Sequence, residues 1–353
     1  PVETVDPNEG GSPQDYFNTV LYTGNAGTQN ITGVGFQPDW VWLKPRSYAD
    51  NNVVFDSVRG VNQTLYTNTT GGESDRTGND SLTAFGSDGF SIGDWNNINT
   101  NSGTLVSWNW KAGTSFSNDA SSTSVGTIDS TGSVSADTGF SIISYTGTGS
   151  NATVAHGLNS APDVVLVKGR SNNPRYWTYW GTQFDANTTY IYLNTNGAED
   201  TGGASVTNSA YPTSSVFSIG TSTFVNGSSE TYIAYCFHSV NGYSKFGSYA
   251  GNGNADGTFV YTGFRPAFVM LKKTSNANNG SSWVINDSKR LGFNNDNPRL
   301  RANSTGGEDD TGRVELLSNG FKMRSSYAES NEDGSNYIYL AFAEQPFKYS
   351  NAR

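Results

Sequence analysis

Short apolar runs alternate along the whole chain with clusters of Gly, Asn, Ser and Thr. The runs are rich in Val, Ile, Tyr, Phe and Trp, and many alternate apolar with polar, the pattern of half-buried strands. One run, Thr231-Tyr232-Ile233-Ala234-Tyr235-Cys236-Phe237-His238, is apolar on both faces and reads as a central strand. Gly and Asn clusters punctuate the runs, as turns between short strands would. No stretch carries a convincing helical period. Val58 to Tyr66 and Asp287 to Leu291 offer one short turn each at most.

The runs repeat, and internal repeats decide an architecture before anything else. Four blocks recur three times in the same order. The first is a strand ending in Tyr-x-Gly: Tyr22-Thr23-Gly24, Tyr145-Thr146-Gly147 and Tyr249-Ala250-Gly251. The second is Pro-x-x-Val-x-Leu/Val-Lys, at Pro38 to Lys44, Pro162 to Lys168 and Pro266 to Lys272. The third runs from a strand end into an acidic loop that reaches Glu73, Glu199 or Glu308. The fourth is a hairpin through Phe90, Phe217 or Phe321, returning along Thr104–Trp110, Thr231–Phe237 or Asn336–Phe342.

This pattern predicts an all-β protein of three tandem antiparallel β-sandwich domains, jelly-roll or concanavalin-like. The divisions expected are an N-terminal arm (1–13), repeat 1 (14–112), a Ser/Thr/Gly-rich linker (113–135), repeat 2 (136–243) and repeat 3 (244–353). Repeats 2 and 3 join directly through Asn241-Gly242-Tyr243, so that pair is expected to pack closely, with repeat 1 more independent.

Composition narrows the function classes. Only 34% of residues are hydrophobic, but aromatics reach 13% and include eight Trp, which argues for packed cores rather than disorder. The net charge of −10 disfavours nucleic acid and anionic membrane surfaces as partners. No apolar run approaches the roughly 20 residues of a membrane-spanning helix, so no membrane insertion is expected. The start at Pro1 carries no visible signal peptide. The single cysteine, Cys236, forbids an intrachain disulfide. With modest apolar content, stability is expected to come from packing or from association as a homo-oligomer.

Candidate chemistry is sparse. Cys236 and His238 share a strand face, but the other repeats carry Asn109 and Ala341, and Lys111 and Ala343, in their places. A packed thiol and an edge histidine are therefore expected, not a catalytic pair. His156 stands alone before Gly157-Leu158 and reads as a loop residue. Glu73, Glu199 and Glu308 recur once per repeat. The expected role is to tie down a Gly-rich loop. The alternatives are a partner contact or Ca²⁺, with Asp75, Asp200, Asp309 and Asp310 supplying further oxygens. No other cofactor is suggested. One Glu per repeat does not make the acid–base pair of a glycosidase unless Asp75, Asp200 or Asp309 is the second carboxylate. Trp95 and the cluster Tyr176, Trp177, Tyr179 and Trp180 are less easily hidden than the other aromatics. One face of that cluster, if exposed, would stack on sugar rings or anchor an interface.

Three segments carry a resemblance: Thr231 to Tyr249, Phe259 to Val269, and Ala341 to Tyr349. They resemble a tandem β-domain family of virion proteins from marine tailed bacteriophages, and the likeness extends over nearly the whole chain from about Tyr16. That family has no established catalytic residues to carry over. The resemblance implies a virion location and a non-enzymatic, lectin-like structural role. The expected function is a tail fibre or tail-peripheral component that binds a host-surface glycan and contacts other virion proteins, and the fibre class implies a homo-oligomer, favouring a trimer. The alternatives are a capsid-decoration or neck/tail architectural protein and, as a minor reading, a polysaccharide-cleaving enzyme.

Overall fold

A computed structural model describes residues 11–171, 173–275, 281–290, 297–311 and 314–345. The fold is all-β, and the strands among the described residues form six sheets. Each repeat builds one large and one small sheet. In repeat 1 the large sheet runs, in spatial order, Phe17–Thr23, Thr104–Trp110, Trp40–Pro45, Val53–Asp56, Gln63–Tyr66 and Ser74–Asp75. The same order recurs as Phe140–Thr146, Thr231–Phe237, Val164–Gly169, Thr178–Gly181 and Ile191–Tyr192 in repeat 2. In repeat 3 it is Ser244–Ala250, Asn336–Gln345, Arg265–Lys273, Val284–Asp287 and Leu300–Arg301. Each unit is closed by its last strand, which inserts antiparallel between its first strand and the Lys-bearing strand.

The small sheets are Gln29–Thr32, Gly89–Ile92 and Leu82–Gly86; then Ala152–Ala155 with Val216–Ile219; then Phe259–Tyr261, Gly320–Met323 and Val314–Leu317. The chain leaves the first strand of each small sheet through Gly33, Gly157 or Gly263, at φ of 84°, 72° and 88°. That left-handed backbone is open to glycine without steric cost. His156 serves this turn. Its Nδ1 accepts from the Leu158 amide at 3.1 Å, and its Nε2 lies 3.0 Å from the Thr213 carbonyl.

Alternation along the strands places side chains in two kinds of core. On Thr231–Phe237, Tyr232, Ala234 and Cys236 join an apolar cluster shared by the large and small sheets of repeat 2. Ile233, Tyr235 and Phe237 point the other way, into a central cluster built by all three repeats. Repeat 1 sends Trp40, Trp42, Trp108 and Trp110 to that centre, and repeat 3 sends Phe268, Met270, Leu340 and Phe342. Rings from different repeats meet there. Trp40 stacks on Tyr235 with centroids 4.7 Å apart, and Phe17 stacks on Phe342 at 5.3 Å. The central strands of each large sheet are therefore buried on both faces, which explains their near-continuous apolar sequences.

Three expectations are corrected. Repeat 1 is not independent, because it supplies four of its tryptophans to the common centre. The 113–135 segment is not a linker. Thr114–Asn118 and Ser130–Ser135 are strands that extend the repeat 2 sheet, with Ala120–Thr123 a helical turn between them. Polar residues suit that position because Thr114–Asn118 is an edge strand on which Thr114, Ser115 and Ser117 are exposed. The helical turns lie at Asn96–Asn99, Ala120–Thr123, Ala204–Thr207 and Thr223–Asn226, and Gln63–Tyr66 is strand. Residues 1–10 of the N-terminal arm, Leu291, and the segment from 346 onward lie outside the described residues.

Candidate functional site

The recurring polar residues converge where one unit meets the next. In the Pro-x-x-Val-x-Leu/Val-Lys strand, alternation turns Trp40 and Trp42 to the centre and brings Lys44 to its rim. Lys44 is buried, and its Nζ donates to Asp50 O at 2.8 Å and to Ser304 O of repeat 3 at 3.1 Å. Lys168 donates to Arg175 O at 2.5 Å and to Thr70 O of repeat 1 at 3.0 Å. Lys272 donates to Ser281 O and, at 3.4 Å, to Asn196 O of repeat 2. Each lysine thus ties its own unit to the preceding one, and the set closes a ring.

A second bond follows the same cycle. The amides of Glu73, Glu199 and Glu308 donate to Arg170 O, Thr274 O and Arg46 O at 2.9, 3.0 and 2.9 Å. At two of these clasps the carboxylate also grips arginine. Glu308 receives Nε and Nη2 of Arg46 at 2.6 and 3.2 Å, and Arg290 approaches it at 3.4 Å. Glu73 receives Nη2 and Nε of Arg170 at 2.9 and 3.1 Å, with Arg59 at 3.2 Å. The forked geometry is the strongest form of charge-assisted pairing.

Behind the glutamates, Arg59 and Arg290 are enclosed and bound by Asp56 and Asp287, each at 2.5 Å. Burial penalises the charged Arg59 guanidinium, but Asp56, Tyr235 and Glu73 more than offset it and hold the group charged. Both aspartates also accept from another unit. Tyr235 Oη donates to Asp56 at 2.7 Å, and Trp108 Nε1 to Asp287 at 2.9 Å.

The proposed sugar-binding aromatics lie elsewhere than expected. Trp177 and Tyr179 are in the central core and Trp180 is in the repeat 2 core, all 1% exposed or less. Both faces of the cluster are covered, because the large sheet packs on both sides. Trp177 Nε1 donates to Tyr66 O of repeat 1 at 2.8 Å, so its polar atom is used as well. Tyr176 stacks on Tyr192 at 4.3 Å. Trp95 lies under the Arg76 guanidinium at 4.5 Å. Trp177, Tyr179 and Trp180 are enclosed, while Tyr176 and Trp95 are half-buried with these partners on their rings.

The Ca²⁺ reading of the acidic loops is corrected too. Glu73 and Glu308 are neutralised by arginine, and Asp309 is gripped by Arg299 and Arg301 at 2.6 and 2.5 Å. Asp75 caps Thr77, Asp200 binds Tyr190 Oη and Gly202 N, and Asp310 is exposed. Among the described residues, no group of three or more His, Cys, Asp or Glu is placed to hold a metal. Cys236 is fully buried, and burial pushes its thiol up, away from a reactive thiolate.

Burial of the lysines gives a pH prediction. Lys44, Lys168 and Lys272 are lowered by burial from 10.5 to about 7. Between those values the unfolded chain holds protons that the folded chain has released. Stability therefore rises with pH through that window, by up to about 1.4 kcal/mol per pH unit for each lysine, and this contribution is flat below pH 7. His156, lowered by burial from 6.5 to about 4, adds a rise of the same sign between those values. Above pH 10 the buried tyrosines Tyr145, Tyr179 and Tyr235, whose burial holds them protonated, reverse the slope. Urea unfolding at pH 5, 7 and 9 should give midpoints that increase in that order.

Fold and clasps together define an all-β protein whose three sequence repeats share one central core, with recurring charges placed at the seams. The family model described as a domain of unknown function (DUF7483) matches residues 12–346, and the chain belongs to that family. A search of curated proteins finds no match. No helix among the described residues is long and apolar enough to cross a membrane.

Proposed function

We propose that this chain is a non-enzymatic structural protein of a tailed-bacteriophage virion surface, built as three tandem β-sandwich domains in a single-chain, threefold body. The observation that carries this reading is the closed ring of clasps. The residues that looked most like chemistry, Glu73, Glu308 and the three lysines, join unit to unit. Cys236 and most of the candidate aromatic cluster lie within cores. Polar loops remain outward on a chain of net charge −10, suited to partner contacts in a particle. The bacteriophage-family resemblance supports the same setting. The ring also meets within one chain the need for partner subunits that motivated a trimer. Locating the protein in the native particle tests the proposal. Density for this fold on the capsid, neck or tail periphery supports it, and absence from the virion overturns it.

A second reading, host-surface glycan binding, has its own support in repeat 3. Phe259 and Tyr261 are 43% and 62% exposed and lie two apart on an edge strand, so both rings are presented on one side. The corresponding register positions hold Asn30 and Thr32 in repeat 1 and Thr153 and Ala155 in repeat 2. Exposed neighbouring rings make a sugar-stacking platform. Glycan-array or host-adsorption signal that falls about tenfold in Phe259→Ser/Tyr261→Ser would establish it, at the usual 1.4 kcal/mol per decade. Binding that the double variant leaves unchanged would exclude this pair.

A further inference from the structure

The clasp between repeats 2 and 3 departs from its two sisters at four positions, and the residues at two of them, Phe184 and Thr274, line a cavity. Phe184 stands where repeats 1 and 3 place Arg59 and Arg290, and Gly181 where they place Asp56 and Asp287. Thr274 stands where Arg46 and Arg170 supply the forked guanidinium. Ala198 replaces Gly72 and Gly307, whose Cα atoms press so closely on the next unit that an added Cβ would lie 2.0 Å from Ser171 O or 2.6 Å from Arg46 O. The glutamate itself is kept. Its amide bond to Thr274 O, at 3.0 Å, matches the other two clasps, so Glu199 is presented by the same backbone. Among the described residues Glu199 has no ion-pair partner, whereas Glu73 and Glu308 each have two arginines.

In front of Glu199 lies a cavity of about 400 Å³. Its walls include Phe184, Asp185, Thr274, Tyr249 and Tyr337. That volume is within the range of small-molecule sites, roughly 300–1,000 Å³. Phe184 and the tyrosines supply aromatic walls, and Glu199 and Asp185 add two carboxylates to the lining.

We propose that this cavity is a binding site for a guanidinium group, which would take the place against Glu199 that Arg170 and Arg46 occupy against Glu73 and Glu308. The internal comparison fixes the ligand chemistry. A planar guanidinium donates two parallel N–H bonds to a carboxylate, as Arg46 and Arg170 do at the sister clasps. An ammonium ion makes a point contact and fits this fork less well. The group could arrive on a small molecule or on an arginine side chain of a partner. The site is independent of whether the chain belongs to a virion.

Isothermal titration of the full chain with methylguanidinium, and separately with an arginine-containing peptide, tests the site. Saturable binding is expected for methylguanidinium. It should weaken about tenfold or more in Glu199→Gln, which keeps the shape and removes the charge. Thr274→Arg should abolish it by supplying the cavity with its own guanidinium, and should raise the melting temperature. Tetramethylammonium, which cannot donate, should bind more weakly. A peptide that binds much more tightly than methylguanidinium assigns the source to a partner protein. Equal affinity assigns it to a free small molecule. Absence of saturable binding, or binding that Glu199→Gln leaves intact, overturns the proposal. If Thr274→Arg fails to fold, the Glu199→Gln comparison decides alone.

Discussion

Asp56→Ala should destabilise the protein by about 3–5 kcal/mol, far more than a typical surface change. Asp56 and the Arg59 side chain are both fully buried and lie 2.5 Å apart. Removing the carboxylate strands a charged guanidinium in the interior. Glu73 at 3.2 Å is its remaining anionic partner, and Glu73 is already shared with Arg170. The Tyr235 hydroxyl also loses its acceptor. Asp287→Ala should behave alike, because Arg290 and Trp108 Nε1 depend on Asp287 in the same way. Urea unfolding measures both. The double variant Asp56→Ala/Arg59→Leu should recover part of the loss, since an apolar pair of similar volume avoids the stranded charge. A cycle with Tyr235→Phe isolates the bond across the seam. A cost below about 1 kcal/mol for Asp56→Ala would mean that water reaches Arg59, contrary to its burial.

That result depends on residues whose roles were hard to read in the sequence, and the reason is physical. Alternation and turn residues report local conformation, so strands such as Trp40–Pro45 and Thr231–Phe237 were legible, and so was the threefold repetition. Alternation also says which residues share a face, but not what covers it. Trp177 and Tyr179 do share a face, as alternation predicts, but that face is covered by Tyr235, Trp283 and other residues far away in the chain. The same blindness hid the clasps. Arg46 and Glu308 are 262 positions apart, and no local spacing announces their pairing. A signal was present in Asp56-Ser-Val-Arg59 and Asp287-Ser-Lys-Arg290, two matching pairs at equivalent places with a Gly and a Phe in the third. Recurrence of Glu73, Glu199 and Glu308 was visible, but its meaning needed the partner across the seam. The polar 113–135 stretch failed for the opposite reason. Edge strands need little apolar character, and composition alone makes them look like linker.

Trp110→Ala should cost about 3–5 kcal/mol, the range for emptying a large aromatic site in a packed core. The larger consequence is where the loss would be felt. Trp110 belongs to repeat 1 but touches Phe17 and Trp40 of its own unit and Phe268 and Phe342 of repeat 3. Independent sandwiches joined like beads would confine the damage to repeat 1, leaving repeats 2 and 3 to unfold at their original midpoint. A shared core predicts the opposite, because each large sheet would expose its central face if a neighbour left. Unfolding should remain one transition, with its midpoint displaced equally for every probe. Tryptophan fluorescence weights repeat 1, which holds five of the eight tryptophans. Hydrogen exchange of Thr231–Phe237 reports on repeat 2 separately. Coincident shifts of both would show that the ring of clasps and the central aromatics act as one cooperative unit. A repeat 2 signal that stays at the wild-type midpoint would mean that the seams are weaker than the individual cores.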